Sequence, residues 1–130
     1  MYSSTTEKVT VSVEPTYLLQ ESSPDQNIYV WAYKVRIENN GPEVLQLKTR
    51  HWKITDSYGR VQEVHGAGVV GEQPVLKPGG IYEYTSGTPL STPNGIMVGS
   101  YAMQMANGTL LDIAIPAFSL HTPDVARQLN

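Results

Sequence analysis

The amino-acid sequence predicts a single all-β domain, an antiparallel sandwich of seven to eight strands. Three observations support this fold class. Apolar and polar residues alternate with a period of two in several segments, turn-forming residues separate these segments at short intervals, and no stretch shows the three- and four-residue apolar spacing of an amphipathic helix. A chain of 130 residues corresponds to one domain. We expect that domain to span residues 1–130, with an ordered core of about 8–120.

The first two predicted strands have the clearest alternation. Val9, Val11 and Val13 alternate with polar residues, and Pro15 ends that strand or marks a sheet edge. The second strand begins near position 29 and is followed by a turn-forming segment at 39–42. Its large apolar side chains share one parity, which makes them the predicted core face: Tyr29, Trp31, Tyr33, Val35 and Ile37.

The next predicted strand changes the parity of its inward residues. Its apolar residues are Leu45, Leu47, Trp52 and Ile54. The first two positions are odd and the last two are even, so the strand needs either an extra residue or a break between Lys48 and His51. The sequence therefore predicts a β-bulge there. A turn at 56–59 and a short strand at 61–64 follow.

The second half of the chain predicts three further strands. Tyr82 and Tyr84 share a strand face, and residues 86–95, rich in Pro and Gly, predict a long irregular connection. A brief apolar segment at 75–76 precedes them. The remaining two strands carry Met97 to Met105 and Leu111 to Ile115, and Pro116 follows the second of them.

The sequence also predicts a turn between those last two strands and a conformation for the end of the chain. Asn107-Gly108 indicates a type I′ hairpin turn. Residues 121–130 are expected to form a frayed tail or one helical turn.

Composition and charge exclude several classes of function. The chain has no Cys, which excludes disulfides, thiolate nucleophiles and Cys-based zinc sites. Its net charge is -3, and its one cationic cluster (Lys48, Arg50 and Lys53) is too small for the basic surface of a nucleic-acid-binding protein. We see no secretory signal and no apolar run of the roughly 18 residues that a membrane span needs. The expected location is the cytoplasm, without membrane or nucleic-acid partners.

The most conspicuous motif is Gly66-x-Gly68-x-x-Gly71. In dinucleotide-binding folds this spacing precedes a helix whose N–H groups bind pyrophosphate. Here Pro74 and Pro78 prevent a long helix, so the Rossmann interpretation fails on context. Two interpretations stay open: a nest of backbone N–H groups that binds an anion with help from Arg50, His65 or Arg60, or glycines that simply serve a β-connection.

No complete catalytic or metal site emerges from the remaining polar residues. His51, His65 and His121 lack the spacing of a zinc site and are interpreted as structural, and no Ser, Asp or Glu pattern indicates a nucleophile or a calcium loop. We therefore predict no catalytic residues and favour a protein that is not an enzyme. No cofactor is expected, although a divalent metal that bridges a bound phosphate stays an open alternative.

Five segments follow one another along the chain in a recognisable order: QLKTRHWKITD (46–56), VHGAGVVGEQP (64–74), LKPG (76–79), YTSGTPL (84–90) and IPAF (115–118). In these segments and in their order the chain resembles the ApaG family. The resemblance extends over nearly the whole chain, from about 9 to 120. It implies a fibronectin type III-like, immunoglobulin-like β-sandwich, in agreement with the strand pattern.

The resemblance also implies two functions. The bacterial family is linked to cobalt and magnesium tolerance, its genes lie near dinucleoside polyphosphate hydrolysis genes, and related domains occur in eukaryotic F-box proteins and in a polymerase-delta-interacting protein. The first hypothesis is therefore a non-catalytic protein-interaction module, as a monomer or a homodimer. The alternative is binding, or less readily hydrolysis, of a phosphorylated nucleotide or pyrophosphate. Its candidate residues are Gly66, Gly68, Gly71, Arg50 and His65.

Overall fold

The computed structural model describes residues 1–123 and shows a nearly all-β chain. Two short 3-10 turns, Leu19–Glu21 and Pro24–Gln26, interrupt the strands. The strands are β1 (Tyr2–Thr6), β2 (Val9–Tyr17), β3 (Tyr29–Asn39), β4 (Leu45–Asp56), β5 (Val61–Ala67), β6 (Val75–Leu76), β7 (Ile81–Leu90), β8 (Asn94–Met105) and β9 (Leu110–His121).

The strands form two antiparallel sheets packed face to face, which confirms the predicted sandwich. One sheet has the order β1-β2-β3-β7, and the other has the order β5-β4-β8-β9 with β6 paired to the beginning of β4. The alternating apolar residues of both sheets meet in one core, since side chains two residues apart point to the same face. Trp31, Tyr101 and Phe118 are the largest side chains that are fully buried in it.

The predicted bulge in β4 is confirmed. The register between β4 and β8 shifts between Leu47 and Thr49, so Lys48 is the extra residue. The shift carries the inward parity from Leu47 to Trp52, and it also turns Arg50 toward the space between the sheets.

Pro15 and Pro116 each lie inside a strand rather than at its end. Pro15 pairs with Tyr33 in β2, beyond the residues of β2 that pair with β1, so its missing N–H faces an open edge. Pro116 lies within β9, where Gly99 pairs with Ile115 and Met97 pairs with Phe118, which leaves one extra residue on β9. Such a bulge tolerates a residue without an N–H group.

Three sequence predictions are wrong in detail. The ordered chain begins before residue 8, because β1 pairs with β2 along its whole length. Residues 86–95 are not a long irregular connection: β7 continues to Leu90 and β8 begins at Asn94. The Asn107-Gly108 hairpin is present, but only Gly108 has a positive φ, of 91°, so the turn is not type I′.

The observed hairpin is a three-residue loop. Met105 N–H bonds to Thr109 O, and Gly108 N–H bonds to Met105 O. A Gly in the left-handed region at the end of such a loop is a common alternative to the two-residue turn. The predicted tail begins at His121, which is the last residue of β9, and its positions from 124 onward lie outside the described residues.

The two lateral edges of the sandwich, where the sheets end, differ from each other. On one side β1 packs across β9, with Ser4 Oγ donating to Ala114 O at 3.1 Å and Ala114 N–H donating to Thr6 Oγ1 at 3.3 Å. On the other side β7 and β5 are the terminal strands of their sheets. The glycine motif lies at this second side.

Candidate functional site

Arg50 organises the glycine motif. It pairs with Gly66 across β4 and β5, and its Nη1 donates to the carbonyl oxygens of Ala67 at 3.1 Å and Gly68 at 2.8 Å. A Cβ on Gly66 would lie 2.8 Å from the guanidinium carbon. Gly66 therefore leaves the space that the guanidinium occupies, and the loop turns carbonyl oxygens toward the cation.

A glycine is required at position 68 because the backbone of Glu72 comes too close for a side chain. It has a φ of +63°, and a Cβ there would lie 2.1 Å from Glu72 O. Its N–H group donates to Lys48 O at 2.9 Å, on the bulge residue of β4. Both observations show that the loop conformation itself needs a glycine at position 68, whether or not a ligand binds.

Residues 69–72 form a tight β-turn. Val69 and Glu72 exchange both backbone hydrogen bonds at 2.8 Å, and the central residues Val70 and Gly71 have φ values of 43° and 82°. A positive φ is strained for a β-branched residue such as Val70. Within the turn Val69–Glu72, we find no hydrogen-bond partner among residues 1–123 for the N–H groups of Val70 and Gly71.

A cavity of about 190 Å³ opens beside the turn. Its lining includes Arg50, Val70, Gly71 and Ser86. The structure thus brings Arg50, Gly66, Gly68 and Gly71 together, and the cavity adds Ser86 from β7, which sequence reasoning missed. The motif interpretation had no means of placing β7 beside this loop.

Tyr33 and Tyr84 line this cavity, and the fully buried Tyr101 lies behind Tyr84. Burial raises the pKa of Tyr33, and it raises the pKa of Tyr84 and Tyr101 well above the ordinary value. The hydroxyls of Tyr84 and Tyr101 hydrogen-bond to each other, and Arg50 opposes all three shifts through its positive charge. These hydroxyls are neutral near pH 7, and Arg50 places a positive charge beside them.

Two of the candidate cations lie elsewhere. His65 is next to Gly66 in β5 and points to the opposite face of the sheet, because successive strand residues alternate faces. Arg60 lies at the other end of β5, where its Nε donates to Asp56 Oδ2 at 2.7 Å and its Nη2 to Ser91 Oγ at 2.9 Å. Neither faces the cavity beside Arg50.

The outer face of β4 and β5 holds a second polar group that the sequence did not indicate. His51 and His65 are direct cross-strand partners, and their rings stack with centroids 4.1 Å apart at 9°. His51 Nε2 lies 3.0 Å from Glu63 Oε1. The sequence did contain a signal for this pairing. His51 and His65 are equally distant in sequence from Tyr58 in the turn, and a symmetric hairpin places such residues opposite each other.

The terminal strand β7 presents unpaired backbone groups. Asn39 N–H donates to Gly80 O at 3.0 Å, and antiparallel pairing alternates, so even-numbered residues of β7 bond to β3 and odd-numbered residues face away from it. In the described part of the chain, β3 is the only strand that pairs with β7. The outward N–H groups belong to Ile81, Glu83, Thr85 and Gly87, while Pro89 has none.

Residues 1–123 contain no helix that is long and apolar enough to cross a membrane. Together, the two sheets and the alternating core define a small antiparallel β-sandwich domain.

The particular family is shown by comparison with known proteins. The model of the ApaG domain matches residues 19–105, and the chain belongs to the ApaG family. It is 62% identical over 130 residues to Protein ApaG of Paramagnetospirillum magneticum, with all of both chains covered. It is 61% identical over 123 residues to Protein ApaG of Rhodospirillum centenum, covering 95% of each. A crystal structure of a Bordetella pertussis protein described as ApaA superimposes with a TM-score of 0.86 at 51% identity, covering 88% of this chain and 94% of that one.

Proposed function

We propose that this protein is a non-catalytic, cytoplasmic protein-interaction module that binds an extended peptide segment of its partner along the edge of β7. The observation that carries the proposal is the row of outward-facing backbone groups at Ile81, Glu83, Thr85 and Gly87. An exposed sheet edge recruits an extended segment through main-chain hydrogen bonds, and neighbouring side chains add specificity.

The side chains of this edge fit such a role. Ile81, Glu83 and Thr85 are exposed, and Ile81 leaves 46% of its surface in solvent. Glu83 lies 3.9 Å from Lys34, so charges of both signs flank the edge. Pro89 has no N–H to offer, which confines pairing to the first part of β7.

The proposal is tested by a pair of substitutions at Thr85. Thr85→Pro removes one outward N–H while keeping the hydrogen bonds to β3, and Thr85→Val keeps that N–H while removing the hydroxyl. The partner is first captured by a photo-crosslinking residue at position 85, with the same residue at the exposed Leu110 of β9 as the control. Titration calorimetry of the purified pair then compares the two variants.

We expect Thr85→Pro to weaken partner binding by about tenfold, the effect of losing one hydrogen bond and its register. Thr85→Val is expected to bind like the unsubstituted protein. Equal affinities for both variants, or crosslinking that is as strong at 110 as at 85, would contradict strand addition at β7.

The second candidate function is binding of a phosphorylated nucleotide or pyrophosphate beside the Gly66–Gly71 loop. It is favoured by the cavity that Arg50, Gly71 and Ser86 line. It is opposed by the hydrogen bonds of the loop, because Gly68 N–H is already bonded and Arg50 Nη1 is engaged by two carbonyl oxygens. An anion nest instead requires converging N–H groups.

This alternative is tested by calorimetric titration with pyrophosphate, ATP and diadenosine tetraphosphate, with and without magnesium. Ser86→Ala is the informative variant, since it alters the cavity without altering the glycines. Saturable binding that Ser86→Ala weakens would support the anion site. Absence of binding by the folded protein would leave these glycines as parts of the loop architecture.

A further inference from the structure

The cross-strand group on the outer face of β4 and β5 has the composition of a metal site. His51, Glu63 and His65 each offer one ligand atom, and these atoms all lie within 4.8 Å of one another. The three residues come from adjacent strands of one hairpin, whose register pairs His51 with His65. The backbone that holds the group is therefore fixed by the sheet rather than by a loop.

The distances are close to those of a coordinated ion. A tetrahedral ion with bonds of about 2.0–2.1 Å to nitrogen separates its ligand atoms by roughly 3.3 Å. His51 Nε2 and Glu63 Oε1 are 3.0 Å apart, and the ligand atom of His65 lies within 4.8 Å of the other two. The two rings stack at 9°, so their nitrogen lone pairs are nearly parallel, and the exposed His65 ring has to rotate for both imidazoles to point at one ion.

The donor set selects the class of ion. Two imidazoles and one carboxylate suit zinc and neighbouring first-row ions, whereas magnesium and calcium prefer all-oxygen ligands. The same set of three protein ligands leaves a fourth position open. The residues are half-buried to exposed, so an ion has direct access from solvent.

We propose that His51, Glu63 and His65 form a surface site for one divalent ion of the zinc class, with solvent as the fourth ligand. The site is independent of the proposed function, because it lies on the outer face of the β5-β4-β8-β9 sheet and not on the edge of β7.

The charged side chains next to the site determine which contacts an incoming metal ion replaces. Lys53 lies opposite Glu63 in the β4–β5 pairing and is exposed. Within residues 1–123, the Glu63 carboxylate hydrogen-bonds to His51 and has no ion pair with Lys53. An incoming dication therefore replaces a histidine hydrogen bond, and the flexible ammonium of Lys53 can move into solvent.

The test is titration of the untagged full-length chain with zinc chloride, followed by calorimetry and by NMR of the histidine ring protons. We expect one saturable site per chain, with shifts at His51 and His65 and none at His121. Magnesium chloride at the same concentrations should produce no such shifts.

Matched variants separate a site from scattered histidine binding. His65→Ala and Glu63→Gln should each weaken zinc binding by about tenfold or more, because each removes one of three ligands. His121→Ala is the control and should bind like the unsubstituted protein. Circular dichroism establishes that the variants are folded. Zinc binding that survives His65→Ala and Glu63→Gln unchanged, or that is absent from the unsubstituted protein, would overturn the proposal.

Discussion

The guanidinium of Arg50 occupies the space that a side chain at Gly66 would fill, 2.8 Å from the Cβ position. Because Arg50 then bonds to the carbonyl oxygens of Ala67 and Gly68, the first glycine of the motif serves an internal contact between β4 and the loop. This relationship explains Gly66 without a ligand, and it makes the coupling between the two residues measurable.

Gly66→Ala should destabilise the protein by about 1–2 kcal/mol, because the added methyl displaces the guanidinium from its two carbonyl acceptors. Arg50→Gln should cost a similar amount. If the two residues act through one contact, the double variant will cost clearly less than the sum of the single variants. Urea unfolding measures all three free energies, and strictly additive costs would contradict the contact.

Gly68→Ala should be the most damaging glycine substitution in this loop, at about 3 kcal/mol or more. Its methyl would meet the backbone oxygen of Glu72 at 2.1 Å, and the residue has a positive φ. Gly71→Ala is the matched control, since Gly71 has a φ of +82° but no heavy atom within 4 Å of the Cβ position. It should cost about 1–2 kcal/mol. Unfolding free energies in the reverse order would be inconsistent with the loop geometry.

Asn39→Ala should cost about 2–4 kcal/mol. The buried amide donates from Nδ2 to Glu43 O at 2.7 Å and Leu76 O at 3.0 Å, and Oδ1 accepts from Gly41 N–H at 3.1 Å. Removing it leaves backbone groups unsatisfied. Asn40→Ala, which removes one exposed 3.4 Å contact, should stay within about 0.5 kcal/mol. Chemical denaturation compares the two, and equal effects would refute this role of Asn39.

Stability should fall as the pH rises above about 10, the ordinary pKa of tyrosine. Burial raises the pKa of Tyr101 and of Tyr84, and burial together with the Glu72 carboxylate raises the pKa of Tyr82 to about 12. The unfolded chain therefore loses these protons first, and the stabilising contribution is complete below pH 10 and is lost as the pH approaches the folded pKa.

Tyr101→Phe removes one of these groups, so its unfolding free energy should decline less steeply between pH 9.5 and 11.5. Tyr58→Phe, at an exposed position, is the control and should retain the original slope. Denaturation series across that pH range provide the comparison. Identical slopes for Tyr101→Phe and the unsubstituted protein would show that Tyr101 does not contribute.

The fold was largely predictable because its core depends on parity. The alternation at Val9, Val11 and Val13 and the parity change around Lys48 follow directly from the two-residue period of a strand. The turn at Asn107 was not predictable in type, since a two-residue and a three-residue loop both use Asn and Gly. Pro89 made the end of β7 look like an irregular connection. Proline is acceptable in a terminal strand, but the sequence alone does not show which strand is terminal.

The sites were less predictable because they depend on which face of a strand a residue occupies. Arg50 and the motif glycines were predicted to be neighbours, and the structure places them together. His65 was expected with them, but it is one residue from Gly66 and therefore points to the other face. Its pairing with His51 depends on the hairpin register, which follows from the exact turn at 56–60.

Amide hydrogen exchange tests most directly whether β7 binds an extended segment of a protein partner. In the free protein, the outward N–H groups of Ile81, Glu83, Thr85 and Gly87 should exchange quickly, while those of Tyr82 and Tyr84, which bond to β3, should be protected. Saturation with the partner captured at position 85 should then protect the four outward amides. If they continue to exchange at the free rate while the partner is bound, the partner does not pair with β7 and the account is wrong.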